Sequence, residues 1–288
     1  MFSTNAKALA STILAAFLFA IMALLVKILS TTVSPAEILF VRSASSILIM
    51  TFVLVFIFKK VKVRNFKIMV VRGLFGGLAV LLFFIAISRI PLSSAVMIGN
   101  SYPLFAVLFS SVLIKEKPRF DTLLVLMISF GGMFLILDPK FGQIDIGYLL
   151  AVLAAVFGGV AVTAIRVLRR TDSSWEIALA QMIGAALFSA VLLPASFSLP
   201  TLREWGFLLI VTLTGIGAQI AFTKPFKFIA TAEASLVAPI YTAFVVMFSV
   251  MFLGECLSSR FVLGALLVFG GMIYLIAREE IRIKKNVL

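Results

Sequence analysis

The chain matches itself without a gap when displaced by 139 positions. Leu14, Ala15 and Ala16 fall on Leu153, Ala154 and Ala155, and Thr32, Ser34, Glu37 and Ile38 fall on Thr171, Ser173, Glu176 and Ile177. Further on, Ala95, Tyr102, Phe105, Phe109, Ser110 and Glu116 meet Ala234, Tyr241, Phe244, Phe248, Ser249 and Glu255. Gly131, Gly132 and Met133 then meet Gly270, Gly271 and Met272. A unit that recurs once over the whole length obliges each half to adopt the same local structure, and it makes the surface between the halves the natural place for a site.

The solvent for that duplicated unit follows from composition. Hydrophobic residues make up 62% of the chain and charged residues 13%, with a mean hydropathy of +1.21, whereas soluble domains are about half apolar and about a quarter charged. The chain therefore belongs in a bilayer. Crossing about 30 Å of hydrocarbon takes roughly 20 apolar helical residues, and the polar breaks predict ten spans, at 8–29, 36–58, 67–88, 93–114, 120–137, 146–168, 175–193, 204–223, 234–253 and 260–277. Continuous rather than alternating apolar runs point to helices and away from a barrel. Lys7 and the apolar run from Ala8 to Val26 are too long for a signal-peptide core of about 7 to 15 residues, so the first segment is expected to stay as a span. Cys256 is the one cysteine, which excludes an intramolecular disulfide and a cysteine metal cluster.

A net charge of +13 would suggest nucleic acid in a soluble protein, but its distribution gives another reason. With the N-terminus in the cytoplasm, nineteen lysines and arginines, Arg72 and Arg166 among them, fall at the inner ends of spans, against Lys27, Arg89, Lys140, Arg203 and Arg260 outside. That bias places both termini in the cytoplasm. Five spans per unit then insert the second unit in the opposite sense, so the expected fold is an all-α membrane protein of two inverted five-helix repeats, 1–139 and 140–288. Gly73 and Gly77, Ala180 and Gly184, and Ala185 and Ser189 are small-xxx-small pairs suited to close helix contact. Gly131-Gly132 and Gly270-Gly271 read the same way.

Several residues break the apolar pattern. Arg42 lies about 9 Å into the second span, where a charge is costly unless it faces a watery or protein-lined cavity. It is expected either to line a translocation cavity and contact a carboxylate-bearing group, or to reach outward or pair with Glu37 or another helix. Ser45 and Ser46 continue its face, and its repeat-mate is the neutral Gln181. In the fourth span Asn100, Ser101, Tyr102 and Pro103 should kink the helix and free the carbonyl of Gly99; Pro239, Tyr241 and Thr242 do the same in the ninth, freeing that of Ser235. Matched proline breaks in two halves point to a midplane binding site. Gln219, and Phe83 with its mate Phe222, are further candidates for its lining. Glu37, Glu116, Glu176 and Glu255 end or begin spans and are candidates for gates or a proton relay.

The chain has no histidine, and its twelve acidic residues fall at span ends or in loops. Facilitated diffusion or exchange is therefore expected over proton coupling, which commonly uses an intramembrane carboxylate or histidine. No G-x-S-x-G, H-E-x-x-H or Walker motif is found, so an enzyme is not expected, and neither a cofactor nor a metal is implied. A channel does not need two inverted units with matched breaks.

At Ser101-Tyr102-Pro103-Leu104-Phe105 leading to Lys115-Glu116, and at Tyr241-Thr242-Ala243-Phe244 leading to Gly254-Glu255 and Gly270-Gly271, the chain resembles the drug/metabolite transporter superfamily and its EamA branch. Arg72-Gly73-Leu74 through Phe83-Phe84, and Ile90-Pro91-Leu92-Ser93-Ser94-Ala95, resemble that branch too. The resemblance implies ten helices, cytoplasmic termini, alternating access around a central cavity and small metabolites as cargo. Similar proteins include exporters of amino acids and related compounds and importers of S-adenosylmethionine. The expected function is thus inner-membrane export of an amino acid or related compound, with uptake or exchange of a metabolite such as S-adenosylmethionine or an organic anion as the alternative. The expected partners are a small-molecule substrate and the lipid bilayer, without nucleic acid, in a monomer or weak homodimer. Lys115 stands where the family pattern has glycine before the glutamate, and Gln181 stands opposite Arg42, so neither role transfers across the repeat.

Overall fold

The computed structural model describes residues 4–57, 63–113, 120–137, 145–195, 197–224 and 237–287. Among these residues all regular structure is helical: α1 (Thr4–Leu29), α2 (Pro35–Phe52, continued by a π turn to Ile57), α3 (Phe66–Arg89), α4 (Leu92–Gly99), α5 (Tyr102–Leu113), α6 (Phe120–Leu137), α7 (Ile146–Leu168), α8 (Ser174–Leu192), α9 (Leu202–Thr223), α10 (Val237–Leu253) and α11 (Ser259–Val287). In hydrocarbon a helix satisfies its own backbone polar groups, which is why the apolar runs take this form. Among the described residues six stretches are long and apolar enough to cross a membrane: Ala10–Leu29, Pro35–Ile57, Phe66–Arg89, Ile146–Leu168, Ser174–Ala195 and Leu202–Thr223; shorter apolar helices accompany them. Large apolar side chains such as Leu48, Met127 and Val191 face outward, as a multi-pass membrane protein requires.

Capping residues set where the helices begin. Ser34 accepts the backbone N–H of Glu37 (3.2 Å) ahead of Pro35, whose missing N–H costs nothing at a first turn. Its mate Ser173 accepts the N–H of Glu176 (3.4 Å), and Glu176 returns the bond to the Ser173 N–H (2.9 Å). The turns before them also correspond, with Thr32 and Thr171 each bonding back to the carbonyl three residues earlier.

Side-chain contacts sort the helix ends into two groups. The carboxylate of Glu255, after α10, meets the start of α4; Lys27, near the end of α1, meets the end of α3; Glu37, in the first turn of α2, accepts from Ser198 before α9; and Gly147, at the start of α7, packs against Arg89 and Ile90. We call this the Glu255 end. At the opposite end the Arg64 N–H, just before α3, donates to Asp172 between α7 and α8 (2.8 Å), and Ser11 on α1 donates to the carbonyl of Ala221 near the end of α9 (3.0 Å).

The core lies between these helices and is built mainly by α1, α3, α4, α7 and α10. The α3 and α8 backbones touch: a Cβ on Gly184 would collide with the carbonyl of Gly73, and one on Gly77 with the backbone of Gly184 and Ala185. The paired small residues thus serve close contact as the sequence predicts. Of the two double glycines, Gly132 packs against Gly264 and Gly271 against Ser129, while Gly131 and Gly270 have open space beside them; only one glycine of each doublet makes the contact.

The fourth apolar stretch differs from its prediction. The chain does not bend through a continuous helix but stops at Gly99, turns through Asn100 and Ser101, and restarts at Tyr102. Pro103 is the second residue of α5, where its missing N–H breaks no helical bond. Pro239 likewise falls in the first turn of α10, and its side chain and Ser235 lie outside the described residues. α11 runs ten residues beyond the predicted 277, to Val287.

Candidate substrate-binding cavity

A cavity of about 160 Å³ lies among α1, α2, α3, α4, α5, α7, α8, α9 and α10. Seven pairs of repeat-mates are among its lining residues. Phe83 and Phe222, Tyr102 and Tyr241, Arg42 and Gln181, Val80 and Gln219, and Gly99 and Ala238 all line it, and each pair is 139 residues apart. Phe19 and Met22 on α1 also line it opposite their smaller mates Gly158 and Ala161 on α7, which leaves more room on the α7 side.

Arg42 enters from α2 and is 1% exposed, so it does not reach outward to water. Its guanidinium carbon sits 5.6 Å from the centre of the Phe84 ring, a cation–π contact. Nε and Nη1 have no hydrogen-bond partner among the described residues. Space for the side chain comes from Gly215, where a Cβ would lie 2.5 Å from Nε. The repeat-mate of Gly215, Gly76, performs the same service on α3, since a Cβ there would collide with Arg72 and crowd the Cγ of Gln181 (3.3 Å).

Arg72 is the residue that sequence reasoning placed wrongly. Counted among the charges of the inner face, it is instead 3% exposed, lines the cavity and donates through Nη2 to Oε1 of Gln181, leaving Nε unpartnered. The missed signal was depth: six residues separate it from the start of α3, about 9 Å of helix, nearly the same depth that marked Arg42. Its repeat-mate is the buried Val211.

Asn100 connects the two broken regions. Its amide nitrogen donates to the Thr242 hydroxyl (2.7 Å) and toward the carbonyl of Ala238 (3.4 Å), so the turn between α4 and α5 rests on the first turns of α10. Tyr102 and Tyr241 line the cavity beside this junction, and the Tyr241 hydroxyl has no partner among the described residues. Gln219 lines the wall with its amide nitrogen unpartnered. Ser46 is fully buried, with no partner for its hydroxyl among the described residues, but is not part of the cavity wall, and neither is Pro103.

The glutamates sit elsewhere. Glu37 accepts from the backbone N–H (3.1 Å) and hydroxyl (3.4 Å) of Ser198. Glu176 completes the cap of α8. Glu255 accepts from the N–H groups of Leu92 (2.5 Å) and Ser93 (3.1 Å) and the Ser93 hydroxyl (2.6 Å), capping α4 where the exposed N–H groups carry partial positive charge. Gly254, at φ 65°, adopts the left-handed turn that brings this carboxylate round. Lys27 donates to the carbonyls of Ile87 and Ile90, both at 2.8 Å, beside that cap. Glu116 lies outside the described residues. No acidic side chain lines the cavity among the described residues.

A duplicated membrane bundle enclosing a mirrored cavity is the architecture of a transporter, and comparison with known proteins agrees. The model of the EamA-like transporter family matches residues 6–138 and again 145–277, and the chain belongs to this family, within the drug/metabolite transporter superfamily. It is therefore a transporter and not an enzyme. It is 31% identical over 217 residues to the pseudopaline exporter CntI of Pseudomonas aeruginosa (strain UCBPP-PA14), covering 75% of this chain and 76% of that one. An uncharacterized transporter of Helicobacter pylori (strain ATCC 700392 / 26695) is 29% identical over 247 residues, covering 81% of each. Human solute carrier family 35 member G1 is 26% identical over 218 residues, 69% of this chain and 59% of its own. A solved crystal structure superimposes with a TM-score of 0.64 over 96% of this chain and 99% of its own at 19% identity, a likeness of fold.

Proposed function

We propose that this protein is a secondary transporter that exports an amino acid or related compound by alternating access. In this reading ten spans form two inverted five-helix repeats, 1–139 and 140–288, in the inner membrane, with both termini cytoplasmic and a monomer or weak homodimer as the working unit. The observation that carries it is the cavity wall built from repeat-mates. A wall lined by seven pairs of equivalent positions has two near-equivalent ways to close, one toward each face. The helix ends support the inversion: α1 finishes at the Glu255 end, where its mate α7 begins. The likeness to a protein named as an exporter supports the direction.

With no acidic side chain lining the described cavity and no histidine in the chain, the driving reaction is facilitated diffusion or exchange. Exchange of an organic anion is the second reading, and the two buried arginines favour it over cationic S-adenosylmethionine. Reconstituted liposomes test the proposal. Counterflow of a labelled substrate that saturates with concentration is the expected result; flux that rises linearly without counterflow would make the protein a channel.

A further inference from the structure

We propose that the cargo is an organic dianion, held by Arg42 and Arg72 at two separate depths of the cavity. This rests on the carrier reading and takes up the organic anion of its second reading in place of the amino acid. Two guanidinium groups line one cavity, and no carboxylate among the described residues lines it to balance them. A buried charge is retained in a membrane protein only where a partner or a watery path compensates it. Gln181 supplies Arg72 with an acceptor but no charge, and Phe84 offers Arg42 only its ring.

The unpartnered polar atoms of this wall agree in sense. Arg42 Nε and Nη1, Arg72 Nε and Gln219 Nε2 are all donors, and the Tyr241 hydroxyl can donate as well. Leaving a buried donor unmade is costly, so the complementary ligand is rich in acceptors. A zwitterion or cation would bring an ammonium group that finds no carboxylate on this wall among the described residues.

Spacing points to two acidic groups and not one. Arg42 is seven residues from the start of α2, about 10 Å of helix, measured from the Glu255 end, and Arg72 is about 9 Å from the start of α3 at the opposite end. In a hydrocarbon layer of about 30 Å, that sets the two levels about 11 Å apart. A second count agrees: Arg42 sits at Phe84 and Arg72 at Gly76, eight residues apart on α3, or about 12 Å. These counts place the roots of the two side chains at separate levels, and a short chain with a carboxylate at each end can offer one to each guanidinium, taking a forked pair of N–H bonds at each. The two charges both belong to the first half, since their mates are Gln181 and Val211. The cargo therefore lies against α2 and α3 in one orientation.

The test uses the full-length protein in detergent and in liposomes with succinate, glutarate and adipate as probes, against butyrate, glutaramide, alanine and lysine. The expected result is thermal stabilisation by at least one dicarboxylate at concentrations tenfold below those needed for butyrate, with no response to glutaramide or lysine. Gln181→Glu places a carboxylate against Arg72 and should reduce the dicarboxylate preference over butyrate to less than twofold. Arg42→Lys and Arg72→Lys keep the charge and should keep the dicarboxylate preference, which separates charge recognition from loss of fold. Equal or stronger stabilisation by alanine, lysine or glutaramide overturns the dianion, as does an unchanged preference in a folded Gln181→Glu variant. Saturable counterflow of a neutral or cationic probe would overturn the dianion and keep the carrier. Dicarboxylate binding without counterflow would keep the anion site and overturn the carrier, and no response to any probe in either assay would overturn both.

Discussion

The two halves of this molecule agree in shape and differ in charge. Phe83 faces the cavity as Phe222 does, Tyr102 as Tyr241, and Gly76 makes room for a long polar side chain as Gly215 does. At the polar positions the correspondence stops: Arg42 answers Gln181, and Arg72 answers Val211. Shape must be shared, because two equivalent closures need two equivalent packings. Charge need not be, because a cargo bound once needs each recognising group once. In the carrier proposed above, the comparison separates the residues that let the protein move from those that choose what it moves.

Breaking the charge side of the comparison should have the largest effect. Arg42→Gln removes one charge-assisted contact, a loss of about 1.5–3 kcal/mol, and counterflow of a responding dicarboxylate should fall by about ten- to a hundredfold. Expression and thermal midpoint should be preserved, since Arg42 makes no hydrogen bond through Nε or Nη1 among the described residues. Next comes shape. Gly184→Ala forces a methyl group into the Gly73 backbone, and overpacking of this kind costs about 1–3 kcal/mol, read as a drop in thermal midpoint; Gly131→Ala, with open space beside it, should change it within about 0.5 kcal/mol.

Truncating either member of an aromatic pair sharpens the comparison further. Phe83→Ala and Phe222→Ala should lower counterflow by similar factors, within about threefold of each other, whereas Arg42→Gln and Gln181→Ala should differ by tenfold or more. The smallest effect is expected at the Glu255 end. Glu255→Gln keeps an acceptor at the start of α4 but loses the charge that favours it, about 0.3–1 kcal/mol. Access of a water-soluble thiol reagent to a cysteine placed at Asn100 from that side should rise by about two- to fivefold.

Much of this was legible in the sequence because the repeat is itself a structural statement. The offset of 139 residues foretold which positions would face each other, and the caps at Ser34 and Ser173 foretold where two helices begin. Arg42, Asn100, Tyr102, Gln181, Gln219 and Tyr241 stand out in the sequence as breaks in the apolar pattern, and all line the cavity. Arg72 was lost because charge near a span end was counted toward orientation, when six residues of helix already carried it inward. Ser46 and Pro103 went the other way. Polarity and proline mark a face or a break along one helix, but which way that face turns is decided by neighbours, and here α5 begins at Tyr102, so that Pro103 shapes the break without lining the cavity. The glutamates at span ends suggest gates or relays, yet a carboxylate at a helix start also finds backbone N–H groups nearby. Those bonds are what Glu176 and Glu255 make, while Glu37 accepts from the Ser198 N–H in the loop before α9.

The central claim, one unit used twice in opposite senses, has a direct test in the chain's own cysteine. Cys256 is exposed just after α10, and its repeat-mate is Lys117. In intact cells a membrane-impermeant maleimide should label Cys256 from outside, whereas a Lys117→Cys, Cys256→Ser variant should be labelled only after the membrane is opened. Labelling of both positions from the same side would contradict the inverted repeat and, with it, the alternating carrier built on it.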